Sequence, residues 1–514
     1  MKTEEAKQGM KNSVGRAVAV ALSVILQVLW IVGFAMKLTN YYAVISTVSS
    51  LLALAVVLRI YGTRINSAYK ISWIVLLLLF PVLGLCLYLI FGNESSTAWT
   101  RKHFEKVGTD LKEVLSQDPA AAEKLKEENR AMYNQSWYLQ HVCGYPVYED
   151  TDVKFYGDTV EALEAQKEEL RKAEKFIFME YHAIEDSTAW RGIEEILKEK
   201  AKAGVDVRVF YDDMGSIGFL SKPFAKRLQS EGIQCRVFNP LMPVLNVFMN
   251  NRDHRKITVV DGRVGFTGGY NLADEYFNLT HPYGQWKDSG IRLTGKAVRS
   301  LTVIFLEMWN ATGKNAENPA RFLPDISYQA QEHGFVQPYA DTPMDDECTG
   351  ENVYLNMIKS AKEYVYISTP YLIIDDEMQR ELTLAACRGV DVRIVTPGIP
   401  DKKLIYKVTR SYYAALAVRG VRIYEYTPGF IHAKQFVCDG EVAAVGTINL
   451  DFRSLYLHFE NGCWFYGCQA VKDVRKDFEE LFAVSREVTS EYGKKRNPVL
   501  RGAQCVLRLF SPLM

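Results

Sequence analysis

HRKITVVDGRVGFTGGYN at residues 254–271 and HAKQFVCDGEVAAVGTIN at 432–449 carry the same residue types at the same internal spacings. His254, Lys256, Asp261, Gly268, Gly269 and Asn271 of the first answer to His432, Lys434, Asp439, Gly446, Thr447 and Asn449 of the second. Residues two apart on a strand share a face, so each His and Lys project into one space. A single His-x-Lys says little. Its duplication, with Asp, Gly and Asn following at equal distances, points to one composite site.

The segments before the motifs repeat in the same order. The first half has AEKFIFMEYHAI from Ala173, AGVDVRVFYDD from Ala203 and EGIQCRVF from Glu231. The second has AKEYVYISTPYLI from Ala361, CRGVDVRIVTPG from Cys387 and RGVRIYEY from Arg419. Short β-branched or aromatic runs alternate with helical stretches such as GIEEILKEKAKAG and EMQRELTLAACRG, the pattern of β-α units on mixed, largely parallel sheets flanked by helices. The expected fold class is therefore α/β, with two pseudo-symmetric halves packed face to face and ligand sites at strand ends and between the halves.

The paired motifs suit a phosphodiester. Two lysines neutralise non-bridging oxygens, the amides of Asn271 and Asn449 donate to them, and two imidazoles flank the phosphorus. One neutral imidazole serves as nucleophile while its protonated partner serves the leaving alcohol, which requires no metal and no cofactor. The catalytic set is thus His254, Lys256, Asp261, His432, Lys434 and Asp439. Asp261 and Asp439 each stand at a turn before Gly, where orienting the loop is the heavier reading. A nucleophilic His also needs an acceptor on its other ring nitrogen; Asp288 in GQWKDSG and Glu460 in LHFENG stand at corresponding positions after the motifs.

The N-terminal region is of another kind. Apolar runs at 17–36, 41–58 and 71–91 contain no charged residue, and each approaches the ~20 residues that span a bilayer. The second carries Ser46, Thr47, Ser49 and Ser50, which would let it lie in the interface; the third holds Pro81 and Gly84. Lys+Arg and Asp+Glu are both 61, so no net charge draws the chain to nucleic acid. The nine scattered cysteines suggest neither disulfides nor zinc. With three spans the basic-residue count places the large domain outside, and with two it returns to the side of the N-terminus. The cysteines favour the cytoplasmic side, which is the expectation taken.

These motifs resemble those of the phospholipase D superfamily. The surrounding text, from SWIVLLLLFPVLGLCLYLIFGN through NNRDHRKITVVDG to YEYTPGFIHAK, GTINLDFRSLYLHFE and RLFSPLM, is similar to bacterial cardiolipin synthases over nearly the whole chain. The resemblance implies two phospholipase D-like domains and metal-independent ping-pong condensation of two phosphatidylglycerol molecules to cardiolipin and glycerol. His254 would be the nucleophile and His432 the general acid, then base. Bacterial cell membrane, multi-pass, is the implied location, with phosphatidylglycerol and the bilayer as partners. The family usually has Ser where Thr447 stands and commonly Asn where His458 stands. The resulting division is 1–95, a membrane region of two to three helices; 96–144, a helical connector; 145–335 and 336–514, the two phospholipase D-like domains, the second ending in a membrane-surface tail. The leucines, methionines and Phe248 of NPLMPVLNVFMNN, just before His254, offer an apolar lip for acyl chains. A hydrolytic phospholipase D or a phosphatidylserine synthase would use the same residues, since the outcome depends on which acceptor reaches the intermediate. A non-catalytic membrane scaffold would be expected to have lost one motif.

Overall fold

The computed structural model describes residues 18, 21–37, 43–63, 65–92, 98–220, 223–241, 250–313, 316–493, 502, 504–505, 507–509 and 511–513. Two sheets carry the repeat. The first runs in the order Thr151–Tyr156, Gly290–Gly295, Val264–Gly268, Lys256–Val260, Phe176–Tyr181, Asp206–Asp212, Gln234–Phe238. The second follows the same plan: Phe335–Asp341, His458–Tyr466, Val442–Gly446, Gln435–Cys438, Tyr364–Ser368, Asp391–Pro397, Arg422–Tyr426, with Ser485–Glu487 added at the edge. The sheets are mixed, but the parallel part is smaller than the β-α pattern predicts. It covers the three strands Phe176–Tyr181, Asp206–Asp212 and Gln234–Phe238 and their counterparts, and the remaining pairings along both sheets are antiparallel.

The reason lies in the turn after each motif strand. Asp261 and Gly262 have φ of 51° and 66°, and Asp439 and Gly440 have 54° and 70°. Two successive left-handed residues make the tight turn that Asp-Gly favours, so each motif strand turns back as a hairpin. The aspartates also hold the neighbouring strand. Asp261 accepts the backbone N–H groups of Glu174, Lys175 and Phe176 at 2.7–2.8 Å, and Asp439 those of Lys362, Glu363 and Tyr364 at 2.8–2.9 Å. Grouping Asp261 and Asp439 with the reacting residues therefore does not stand. Seven residues of extended chain put them on the order of 20 Å from the histidines, with their carboxylates engaged by backbone amides.

Helices cover the sheets through apolar faces. Thr188–Lys202 buries Ala189, Trp190, Ile193, Ile196 and Leu197 at helical spacing. Val298–Ala311 is apolar on most of its surface and lies in the core shared by both halves. In the connector, Pro119–Glu128 begins with Pro at its first position and Asp118 accepting from the Ala120 N–H, the expected start chemistry.

Of the three apolar runs, the second is the described helix long and apolar enough to cross a membrane, at Val44–Tyr61 with mean hydropathy 2.0. Of its serines, Ser49 and Ser50 donate to the Ser46 carbonyl, which satisfies their hydroxyls within their own helix. The first run is described as Ala21–Lys37. The third is not one helix. Ser67–Leu79 stops at Phe80 (φ −135°, ψ 71°), and Pro81–Leu87 starts anew. The new helix folds back so closely that a Cβ on Gly84 would sit 2.8 Å from the Leu77 Cα. Ser67–Leu79 also docks on the second half: the Asn66 amide donates to Asp375 and Tyr456, and Ser72 to the Leu509 carbonyl. The tail's described residues lie there too, Arg508 standing over the Tyr412 ring at 4.2 Å. Residues 242–249 of the apolar lip and 494–500 of the tail lie outside the described residues.

Replacing Asp261 with Ala is expected to lower the melting temperature by about 5 °C or more, through loss of charge-assisted hydrogen bonds, while specific activity of the folded fraction stays within about twofold. A thermal melt alongside an activity assay checks this.

Candidate active site

Each motif histidine is positioned by the opposite half. Arg252–Asp253 pairs in parallel with His458–Phe459, and the His254 N–H donates to the Phe459 carbonyl at 2.8 Å. Gly429–Ile431 pairs in parallel with Gln285–Lys287, and the His432 N–H donates to the Lys287 carbonyl at 2.7 Å. The next residue along each partner strand is a carboxylate. His254 Nδ1 lies 2.8 and 2.9 Å from the two oxygens of Glu460, and His432 Nδ1 lies 2.6 Å from Asp288 Oδ2. Both carboxylates are fully buried. The acceptors expected from their positions are thus the acceptors found, with a crossing between halves that the sequence does not reveal.

These contacts fix the tautomers. A carboxylate accepts, so each Nδ1 carries the proton and each Nε2 keeps its lone pair; Lys434 Nζ also lies 2.7 Å from His432 Nδ1 and accepts there when it is a neutral amine. Burial, then the positive charges of Lys256 and Lys434, hold His254 well below the ordinary imidazole range, leaving it neutral. Burial and Lys434 also push His432 down, to about 4, while Asp288 pulls the other way. The carboxylates differ in what else they accept. Glu460 also takes the hydroxyls of Thr447, at 2.5 Å, and Ser454. Asp288 takes the backbone N–H of Ser289 at 2.9 Å. More donors on Glu460 leave it the weaker partner, so His432 is the imidazole better supported as a cation.

Lys256 and Lys434 each curl back to the carbonyl of their own motif histidine, Lys256 at 2.6 Å. Burial lowers Lys256 to about 8 and Lys434 to about 7. The asparagines have internal duties as well: the Asn271 side-chain oxygen accepts from the Ala183 N–H at 3.0 Å, and its amide donates to Tyr276 at 2.8 Å. Asn449 keeps a buried oxygen without a hydrogen-bond partner.

A family model described as "Cardiolipin synthase, PLD-like domain" matches residues 167–309 and 354–482, and one described as "Phospholipase_D-nuclease N-terminal" matches 49–93. A cardiolipin synthase of Halalkalibacterium halodurans is 35% identical over 86% of this chain and 88% of its own. One of a Geobacillus species is 34% identical over 96% and 99%. The chain belongs to the cardiolipin synthase family. Its class is that of phosphatidyltransferases in the phospholipase D superfamily. In fold it is also similar to a solved phosphatidylserine synthase of Haemophilus influenzae, with TM-score 0.56 at 14% identity over 75% of this chain and 99% of that one.

In this member of the cardiolipin synthase family, further residues surround the two motif histidines. Arg252 forms a buried bidentate pair with Asp212, whose Oδ2 also accepts the Asp253 N–H at 3.1 Å, so the lead-in to His254 is clamped. Asp212 ends the strand that begins in the first GVDVR segment, where the second half has Pro397, so the repeat gave no signal for it. His182 lies 4.9 Å from His254, and Tyr276 and Trp286 lie 5.3 and 5.4 Å from His432, ring to ring. Among the described residues one group has metal-ligating types close together, His254, His458 and Glu460 within 4.8 Å. Its central contact is the hydrogen bond that orients His254.

The lysine values set a pH dependence. Each lysine is charged below its own value and loses its charge above it, so affinity for an anionic phosphate falls as pH rises from about 7 to about 9. The KM for anionic lipid should rise several-fold over that window, and Lys434→Arg, which stays charged, should flatten the rise.

Proposed function

We propose that this enzyme condenses two phosphatidylglycerol molecules into cardiolipin and glycerol through a phosphatidyl-histidine at His254. The observation that carries the reading is the crossed pair of imidazole–carboxylate contacts, His254 on Glu460 and His432 on Asp288, beside two buried lysines. His254 Nε2 attacks phosphorus while Lys256 and Lys434, with Asn271 and Asn449, hold the non-bridging oxygens. In the free site both imidazoles are neutral; the incoming phosphate adds negative charge beside His432 and, together with Asp288, favours its protonated form. His432 gives that proton to the departing glycerol oxygen. It then takes the proton of the second lipid's hydroxyl, whose oxygen attacks phosphorus as the P–N bond breaks and its electron pair returns to His254.

The assignment of roles rests on the difference between the two carboxylates. Glu460, already accepting from Thr447 and Ser454, stabilises a cation less than Asp288 does, which suits a neutral nucleophile at His254 and an acid–base group at His432. His254→Ala and His432→Ala in proteoliposomes should each reduce cardiolipin formation by at least about a thousandfold. With labelled phosphatidylglycerol as sole lipid, cardiolipin and glycerol should appear in equal amounts. Phosphatidic acid as main product would make the enzyme a hydrolase.

We further propose that the catalytic halves face the cytoplasm of a bacterial cell and are held by more than one membrane pass, the helix Val44–Tyr61 and its apolar neighbours. Exposed Cys387 gives a test, because a membrane-impermeant maleimide should label it in inverted vesicles and not in intact cells. Labelling of intact cells would reverse the orientation.

A further inference from the structure

His458 stands two residues before Glu460, as Trp286 stands two before Asp288, so the two occupy one place in the repeat. Each ring lies beside the reacting imidazole of its site: Trp286 is 5.4 Å from His432, and His458 is 5.5 Å from His254. Trp286 brings mainly apolar surface, whereas His458 brings a second polar group to the nucleophile's carboxylate.

The hydrogen bonds define what that group is. Arg453 Nε donates to His458 Nε2 at 3.3 Å, and a guanidinium cannot accept, so Nε2 is the acceptor and Nδ1 carries the proton. That Nδ1 is buried without a hydrogen-bond partner. It lies 3.7 Å from Glu460 Oε1, too far for a hydrogen bond and within a small movement of one. Oε1 is one of the two oxygens facing His254. Burial, with Arg453, keeps the ring neutral against the opposing pull of Glu460, so what it offers that carboxylate is a donor and not a counter-charge.

We propose that His458 is a positioning residue for the second half-reaction: its Nδ1–H closes on Glu460 once His254 carries the phosphatidyl group. The inference rests on the phosphatidyl-His254 reading. In that adduct the ring has a P–N bond at Nε2, a proton at Nδ1 and a positive charge facing Glu460. A donor on Oε1 draws negative charge away from the adduct and makes the imidazole a better leaving group. When the acceptor oxygen bonds to phosphorus, the P–N pair returns to Nε2 and the hydroxyl proton passes to His432. Glu460 gains and loses no proton, and Arg453 holds His458 in the tautomer that can donate.

The test uses full-length enzyme in phosphatidylglycerol proteoliposomes, acid-quenched at steady state, with the protein-bound lipid phosphorus counted. His458→Leu removes the donor; its kcat should fall about tenfold with KM changed less than about twofold, and bound phosphorus should rise severalfold over wild type. His458→Asn restores an N–H donor and should return kcat to within about threefold of wild type, with little adduct. Should the Leu variant fail to fold, Arg453→Met, which frees the tautomer, should show the same accumulation in milder form. Equal adduct levels in wild type and in the folded donor-lacking variants, or equal impairment of Asn and Leu, would overturn the role of His458. If wild type forms no adduct dependent on His254, the covalent reading itself falls and takes this one with it, a result distinct from the first.

Discussion

Two imidazole–carboxylate contacts across the seam between the halves are the constraint around which the catalytic body is arranged. A buried carboxylate is costly unless hydrogen-bonded, and Glu460 and Asp288 are fully buried. Each therefore needs donors delivered at close range. The short parallel pairings of Arg252–Asp253 with His458–Phe459, and of Gly429–Ile431 with Gln285–Lys287, deliver them. Seen this way, the Arg252–Asp212 clamp and the Asp-Gly hairpins serve one end. They hold the motif strands in the register that lets each half lend a carboxylate to the other.

The duplication is close in geometry and broken in chemistry. Both sites have a histidine, a lysine two residues on and a crossed acid, yet Glu460 collects two hydroxyls that have no counterpart at Asp288. Aromatic Trp286 and polar His458 fill equivalent places. Two like imidazoles thus face carboxylates that differ in donor count, without either leaving its place in the repeat.

Much of this was legible in the sequence because it is local. The repeated GVDVR segments forecast the central strands, the doubled His-x-Lys forecast a composite site, and Asp before Gly forecast turns, which the left-handed φ values bear out. What escaped is non-local. Nothing in the spacing says that Glu460 belongs to His254 across 206 positions, or that Thr447 and Ser454 converge on it. β-α alternation describes only three strands of each sheet, and hairpins supply the others, so fewer strands are parallel than the alternation alone implies. Run 71–91 reads as one span by hydropathy; Pro81, whose cost depends on what surrounds it, breaks it in two.

The crossed seam also bears on biosynthesis. A ribosome releases His254 and its lysine long before Glu460, and Asp288 long before the histidine it serves. Through most of translation the growing chain holds His254 without the carboxylate that orients its ring. That contact forms only when His458–Tyr466 joins the second sheet, so a chain cut before it leaves His254 without its hydrogen-bond acceptor.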